Sequence, residues 1–376
     1  MADKITAGVL EAVESPHPAE ATGISRRSLL IQGGMAAVAL SLPWRGASAL
    51  TEAIAAPASE PASRRPLLGA LYKADHKSLG EHWAPMGPMG EMPALGLYDS
   101  SLEGTMDAHL MMALGAGLSF FMVPYTSTRA IDDGISHLLA RSELHGWVKI
   151  AVLIEPDEDS RMLARARRSG VLKPEEYVEQ AADWLLHRYD AIDRLGWFDH
   201  AGYLRDADGR RISGFFGWDS PDVVVQVVER AIARRPALAT GHQLWFAGTQ
   251  DAGDHPDAMA RAAELGISWF VLNPELEQGW DRSLKLYRTL SRGSQRVLAV
   301  SPAYASAELR VAPRDDGERL ASRLEAVRHL RRPPTHVVFN SFNDWRNGTA
   351  VEPSLKGNQY LKVIAALSTS WDQSRG

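Results

Sequence analysis

From residue 66 onward, short apolar segments alternate with longer segments in which apolar residues recur at helical spacing. The longer segments predict helices, among them Met106–Ala116, Ala130–His145, Pro174–Arg194 and Pro256–Leu265. The short segments predict eight strands: Leu67–Tyr72, Leu118–Val123, Val148–Ile154, Ile212–Gly217, Gln243–Ala247, Ser268–Leu272, Arg296–Val300 and His336–Asn340. Eight strand–helix units indicate parallel pairing through crossovers. We therefore predict an α/β fold, a single (β/α)8 TIM barrel.

An open, doubly wound sheet is the alternative that the same alternation allows. Such a sheet usually has a glycine-rich, phosphate-binding turn after its first strand. Here the first predicted strand is followed by Lys73-Ala74-Asp75-His76, which lacks that turn. There is no internal repeat, so we assign residues 66–376 to one (β/α)8 barrel domain.

The first 49 residues have the pattern of a twin-arginine (Tat) signal peptide. Arg26 and Arg27 precede an apolar run that ends at Leu42, and Ala47-Ser48-Ala49 supplies a small-residue cleavage site. The run is about 14 residues long, whereas a spanning helix needs about 20. We predict no stable membrane anchor, a flexible lead-in over residues 50–65, the Tat translocase as partner during export, and a periplasmic or secreted destination.

Composition and charge narrow the chemistry. The 376 residues include 41 Lys+Arg, 46 Asp+Glu and no cysteine, and the formal net charge is −5. Without a basic surface, nucleic acid is not an expected partner. Without cysteine there are no disulfides, thiolate metal sites or cysteine nucleophiles. We interpret Asp254, before Pro256, as a helix N-cap and not as a metal ligand, and we predict neither metal nor cofactor.

A TIM barrel carries its chemistry on the loops that follow the strands. Glu155 closes the third predicted strand, so we expect its carboxylate at the barrel mouth. Several other loops begin with aromatic or amide residues, and these are candidate sugar-binding residues because flat rings stack on sugar faces: Tyr72, His82, Trp83, Tyr125, Trp218, Tyr304, Asn343, Trp345 and Asn347. The Gly-x-Ser-x-Gly elbow of serine hydrolases does not occur.

The last strand and its loop resemble a known family. Ser341-Phe342-Asn343-Asp344-Trp345-Arg346-Asn347-Gly348-Thr349, followed by Glu352-Pro353, is similar to the Ser-Phe-Asn-Glu-Trp-x-Glu-Gly-Thr-x-Ile-Glu-Pro segment of glycoside hydrolase family 99. That family includes endo-α-mannosidases and related domains from bacterial polysaccharide loci. Weaker matches follow in the same order: Gly69–Tyr72, His82-Trp83, Gly96–Ser100, Glu155-Pro156 and Ala312-Pro313-Arg314. The resemblance covers about residues 66–365 and implies a (β/α)8 barrel.

The resemblance also implies a mechanism. In the family, one carboxylate takes the proton of the sugar 2-hydroxyl, the 2-oxygen acts as internal nucleophile, and a second carboxylic acid protonates the departing oxygen. The first of these positions is Asp344 here and the second is Asn347, which cannot act as an acid. Glu155 and Glu352 are available to replace it. The resemblance thus gives Asp344, Glu155 and Glu352 as candidate catalytic residues and adds Arg314 to the candidate binding residues.

Three functions are compatible with the sequence. The first, which we favour, is a glycosidase that hydrolyses a mannan-like or other bacterial or environmental glycan with a changed carboxylate pair. The second is a non-catalytic glycan-binding protein that assists the assembly or export of a polysaccharide. The third is a glycan transferase or lyase. In each case an oligosaccharide or polysaccharide is the expected partner.

Overall fold

Eight parallel strands form one nearly closed barrel in the computed structural model, which describes residues 65–77, 83, 91–217, 219–248, 250–272, 279–290, 296–305, 310–312 and 314–373. The barrel strands are β1 (Leu67–Leu71), β2 (Phe120–Tyr125), β3 (Lys149–Ile154), β4 (Arg211–Phe216), β5 (His242–Gly248), β6 (Ser268–Val271), β7 (Val297–Val300) and β10 (His336–Phe339). Their order is β6-β5-β4-β3-β2-β1-β10-β7. The predicted TIM barrel is confirmed.

Ten helices are present in the described residues and follow the strands along the chain. They are α1 (Glu103–Gly115), α2 (Arg129–His145), α3 (Glu158–Arg168), α4 (Pro174–Arg194), α5 (Pro221–Arg234), α6 (Ala237–Gly241), α7 (Pro256–Glu264), α8 (Trp280–Leu290), α9 (Glu318–Arg328) and α10 (Gln359–Gln373). Pro174, Pro221 and Pro256 each open a helix, where a missing backbone N–H costs nothing.

Strand β2 is longer than predicted at its carboxyl end because it continues through Pro124. In a parallel strand, alternate residues bond to opposite neighbours. The carbonyl of Met122 accepts a hydrogen bond from Tyr72 N–H (3.0 Å), so Pro124 faces the same side, where β1 has already ended. The missing proline N–H therefore breaks no bond of the ladder.

Two details differ from the sequence-based expectations. An antiparallel pair, β8 (Tyr304–Ala305) and β9 (Arg310–Ala312), lies outside the barrel sheet and was not predicted. The N-cap of α7 is His255, whose side chain pairs with Asp222, so the expectation that Asp254 caps this helix was wrong. Asp254 pairs instead with Arg282 (3.1 Å).

Alternation along the strands produces two layers of core. Residues that point into the barrel, such as Phe120 and Met122 of β2, form one cluster, and their sequence neighbours pack against the helices. Gly69 makes room inside, because a Cβ there would lie 2.3 Å from the Phe120 ring.

A histidine is enclosed near the amino ends of the strands. His336 is 5% exposed and packs edge-on against Trp245, with ring centroids 4.7 Å apart. Burial lowers the pKa of His336 to about 4, and Asp206 partly offsets this. The ring is therefore neutral inside the fold at neutral pH.

Within the described residues, no helix is both long and apolar enough to span a lipid bilayer. The predicted signal peptide and nearly all of the predicted lead-in lie outside these residues and stay predictions.

Candidate functional site

The loop after β10 folds back on itself at the mouth of the barrel. Phe342 N–H donates to the Leu71 carbonyl (2.7 Å), and Glu352 N–H donates to the Phe342 carbonyl (2.8 Å). These bonds tie both ends of the loop to the end of β1. The loop therefore presents its middle part, which contains Asp344, at the carboxyl ends of the strands, where TIM barrels carry their active sites.

Asp344 is held in one orientation by its own loop. Its backbone N–H donates to Ser341 Oγ (2.7 Å), and its carboxylate accepts two hydrogen bonds from Asn347: from Nδ2 to Oδ2 (2.8 Å) and from the backbone N–H to Oδ1 (3.2 Å). The residue is 8% exposed. Both oxygens thus accept hydrogen bonds from one residue of the same loop, which fixes the orientation of the carboxylate.

Lys73 connects this loop to the end of β1. Its backbone N–H donates to Asn343 Oδ1 (2.7 Å), and its carbonyl accepts from Asn343 Nδ2 (3.0 Å). Burial lowers the pKa of Lys73, but the carboxylates of Glu155 and Asp344 raise it, and the net pKa lies above its ordinary value. One ammonium group therefore stands within electrostatic range of both carboxylates.

Glu155 reaches the mouth from β3. Its N–H donates to the Tyr125 carbonyl (3.0 Å), which continues the β2–β3 ladder by one residue, and its side chain is half-buried. Tyr304, after β7, is also near Asp344: burial and that carboxylate together raise the pKa of the Tyr304 hydroxyl. The mouth thus combines two carboxylates, a lysine and a tyrosine.

A buried polar network lies beneath the loop and centres on Glu352. Its carboxylate accepts from Tyr98 Oη (2.7 Å) and Trp345 Nε1 (2.8 Å) on one oxygen, and His109 Nε2 is 3.2 Å from the other. His109 Nδ1 is 3.0 Å from the Tyr72 hydroxyl. Burial and the adjacent Glu352 raise the pKa of both tyrosines.

Arg314 supports the loop from the other side. Its side chain is 3% exposed, forms an ion pair with Glu91 (2.9 Å) and donates to the carbonyls of Gly348 (3.3 Å) and Ala350 (2.5 Å). The guanidinium also stacks over Tyr360, 4.3 Å from the ring centroid. This arginine therefore fixes the backbone that follows Asn347 and does not face the mouth.

Comparison with solved structures shows that the fold of this barrel is similar to that of glycoside hydrolases. It is similar to the GH99 endo-alpha-mannosidase from Bacteroides thetaiotaomicron, with a TM-score of 0.61 and 15% identity over 82% of this chain and 98% of that chain. The chain has a glycoside hydrolase family 99-like fold. A structure named as a glycoside hydrolase-like protein matches with a TM-score of 0.50 and 19% identity, covering 83% of this chain and 97% of that one. No family model and no curated protein matches the sequence.

The family 99-like barrel separates the candidate residues into two groups. At the mouth, Asp344 and Glu155 lie near Lys73, and Asn347 and Tyr304 lie near Asp344. The remaining described candidates have buried side chains: Tyr72, Trp83, Tyr125, Arg314, Asn343, Trp345 and Glu352. His82 and Trp218 lie outside the described residues.

The placement of Glu352 does not suit the proton-transfer role predicted for it. The residue is 1% exposed, and both of its oxygens are already engaged by the network. Nor do Trp83 and Trp345 form open stacking platforms, since both indoles are buried against Tyr98 and Ala350. These residues hold the loop that carries Asp344.

Sequence reasoning missed three residues of the site. Lys73 directly follows β1, and its position at a strand end was a usable signal. His109 lies within the predicted helix Met106–Ala116, and its bond to Glu352 could not be inferred because the two residues are 243 positions apart. Tyr98 lies in a loop without periodicity, and its partner Glu352 is 254 positions away.

Proposed function

We propose that this chain is an exported glycoside hydrolase in which Asp344 and Glu155 carry the proton transfers. One observation carries the proposal: the Lys73 ammonium interacts electrostatically with both carboxylates at the mouth of a family 99-like barrel. A similar solved structure is that of an endo-alpha-mannosidase, and we therefore propose an α-linked, mannan-like glycan as the substrate.

In the proposed reaction, Asp344 takes the proton from the sugar 2-hydroxyl. The 2-oxygen then attacks the anomeric carbon while the bond to the departing oxygen breaks, and Glu155 gives that oxygen its proton. This attack closes a three-membered ring between the 2-oxygen and the anomeric carbon. Water then opens the ring at the anomeric carbon, while Glu155 takes a proton from the water and Asp344 returns one to the 2-oxygen. Asn347 supplies no proton and keeps Asp344 oriented through its two hydrogen bonds.

Export follows from the amino-terminal pattern. The paired arginines, the short apolar run and the small-residue site predict transport by the Tat translocase, with cleavage after Ala49. A barrel without cysteine gains nothing from oxidative folding outside the cytoplasm. We propose that the mature protein acts on its glycan in the periplasm or outside the cell.

One observation supports a second function, a non-catalytic glycan-binding protein. At the position of the family's second carboxylate this chain has an amide, and that amide occupies an oxygen of Asp344 (2.8 Å). A glycan could be held at such a site without being cleaved.

A single assay separates the two functions. Purified protein starting at residue 50 is incubated with α-mannans and a panel of bacterial polysaccharides, and new reducing ends are measured together with glycan binding. We expect reducing ends from the unchanged protein and none from Asp344→Asn or Glu155→Gln. Asp193→Asn and Glu175→Gln, on exposed helix positions, are matched controls that should retain activity. Binding without products across the panel would support the second function and refute the first.

A further inference from the structure

The side chain of Lys73 is the feature of the mouth that the proposed reaction leaves unused. Its backbone is clamped on both sides by the amide of Asn343, which is fully buried. The backbone from which the lysine side chain starts is therefore anchored to the same loop that carries Asp344.

The donor hydrogens of the Lys73 ammonium are not used within the described residues. Among the described residues, no side chain or carbonyl forms a hydrogen bond with Lys73 Nζ, although the residue is only partly exposed. By contrast Lys77, four positions later, bonds to Asp99 (3.2 Å) and to Ser101 (2.7 Å). Lys73 thus presents up to three donor hydrogens to the mouth.

The charges around Lys73 have mixed signs. Glu155, Asp344 and Asp75 attract the ammonium, and Arg346 repels it. A carboxylate brought by a ligand would meet three acidic side chains, and a ligand ammonium would meet the fixed lysine. Uncharged hydroxyl groups are repelled by neither the acidic side chains nor the lysine. They can accept a hydrogen bond from Lys73 while they donate to the carboxylates.

We propose that Lys73 contacts the substrate and determines its specificity: its ammonium donates to hydroxyl oxygens of a neutral sugar held between Glu155 and Asp344, and it excludes amino sugars from this position. The inference rests on the proposed function, since it places a sugar at the same mouth. It adds the residue that selects a neutral sugar with adjacent hydroxyl groups at that position.

The test compares binding of small sugars to variants. The probes are the methyl glycosides of mannose, glucose and galactose, each with its 2-amino-2-deoxy and its uronate analogue, titrated by ligand-observed NMR at mildly acidic pH. Lys73→Met keeps the stem and removes the charge, Lys73→Gln is a second variant should the first not fold, and Lys77→Met is the matched control. Melting curves establish that each variant is folded.

For the unchanged protein and Lys77→Met, we expect a neutral glycoside to bind more tightly than both charged analogues. In Lys73→Met, neutral binding should weaken about tenfold or more, the loss of a charge-assisted hydrogen bond. The amino analogue should bind that variant better than it binds the unchanged protein. Equal binding by Lys73→Met and the unchanged protein overturns the inference and leaves the proposed function standing. Absence of any glycoside binding also overturns it, and the polysaccharide panel then decides the proposed function by itself.

Discussion

Replacing Glu352 by glutamine tests whether the buried network holds the loop that carries Asp344. We assign the hydrogen bonds as follows: Tyr72 donates to His109 Nδ1, His109 Nε2–H donates to one Glu352 oxygen, and Tyr98 and Trp345 donate to the other. In this arrangement every donor has an acceptor. The donors of His109, Tyr98 and Trp345 converge on the Glu352 carboxylate, which is buried from water.

Glutamine has the same shape but only one acceptor oxygen. If that oxygen serves Tyr98 and Trp345, the new NH2 group faces His109, whose tautomer must change. The two remaining bonds become neutral, and each loses about 1 kcal/mol relative to a bond with a charged acceptor. With the cost at His109 included, we expect Glu352→Gln to lower the free energy of unfolding by about 2–4 kcal/mol. At about 2 °C per kcal/mol for a large domain, the melting temperature should fall by about 4–8 °C.

The measurement is thermal unfolding at neutral pH, with Glu175→Gln as the control on an exposed helix position. A double-mutant cycle makes the test sharper. Tyr98→Phe alone removes one donor and should destabilise the protein by about 1 kcal/mol, whereas in a Glu352→Leu background it removes an orphaned donor and should stabilise. If Glu352→Gln melts within a degree of its control, or if Tyr98→Phe has the same effect in both backgrounds, the network does not hold the loop.

Three further predictions concern the core and the loop. Because the pKa of His336 is about 4 when folded and near 6.5 when unfolded, unfolding takes up a proton below pH 6.5, so between pH 7 and pH 5 this residue should remove about 1–2 kcal/mol of stability. His336→Gln should abolish that part of the pH dependence in denaturation curves, and an unchanged slope would refute it. Arg314→Lys loses the forked contacts and should cost about 2–3 kcal/mol in the same experiment, whereas Arg346→Lys, on an exposed side chain, should cost little. Asn347→Ala should reduce glycan hydrolysis about tenfold by releasing Asp344, and Asn347→Glu should not raise it, because two carboxylates would then meet; increased product would instead indicate a lost acid.

The barrel could be predicted because its signal is local. Short apolar runs, as in strands β2 and β3, and proline at the start of α4, α5 and α7 can be recognised over windows of a few residues. The β8–β9 pair could not be predicted in this way, since strands of two and three residues carry no period. The extension of β2 through Pro124 depends on where β1 ends, which is a property of the neighbouring strand.

The site could be predicted only as a set of loop positions. The sequence indicates that Glu155 and Asp344 follow strands and therefore lie at one end of the barrel. It does not indicate which neighbours face the mouth and which lie beneath it, because that depends on partners far away in the chain. Glu352 and Asp344 are eight positions apart in one motif, yet one is enclosed by Tyr98 and His109 and the other opens toward Lys73.

The two departures from the family segment, Asp344 and Asn347, are linked in this structure. The backbone N–H and the amide of Asn347 bind the two oxygens of Asp344, an arrangement that uses both the short acidic side chain and the neutral amide. A glutamate at position 347 would remove the amide donor and place a second negative charge next to the Asp344 carboxylate. An acid for the departing oxygen must therefore come from another strand. Of the carboxylates predicted to act, Glu352 is saturated beneath the loop, whereas Glu155 shares Lys73 with Asp344, so the proposed hydrolysis requires Glu155 as its acid.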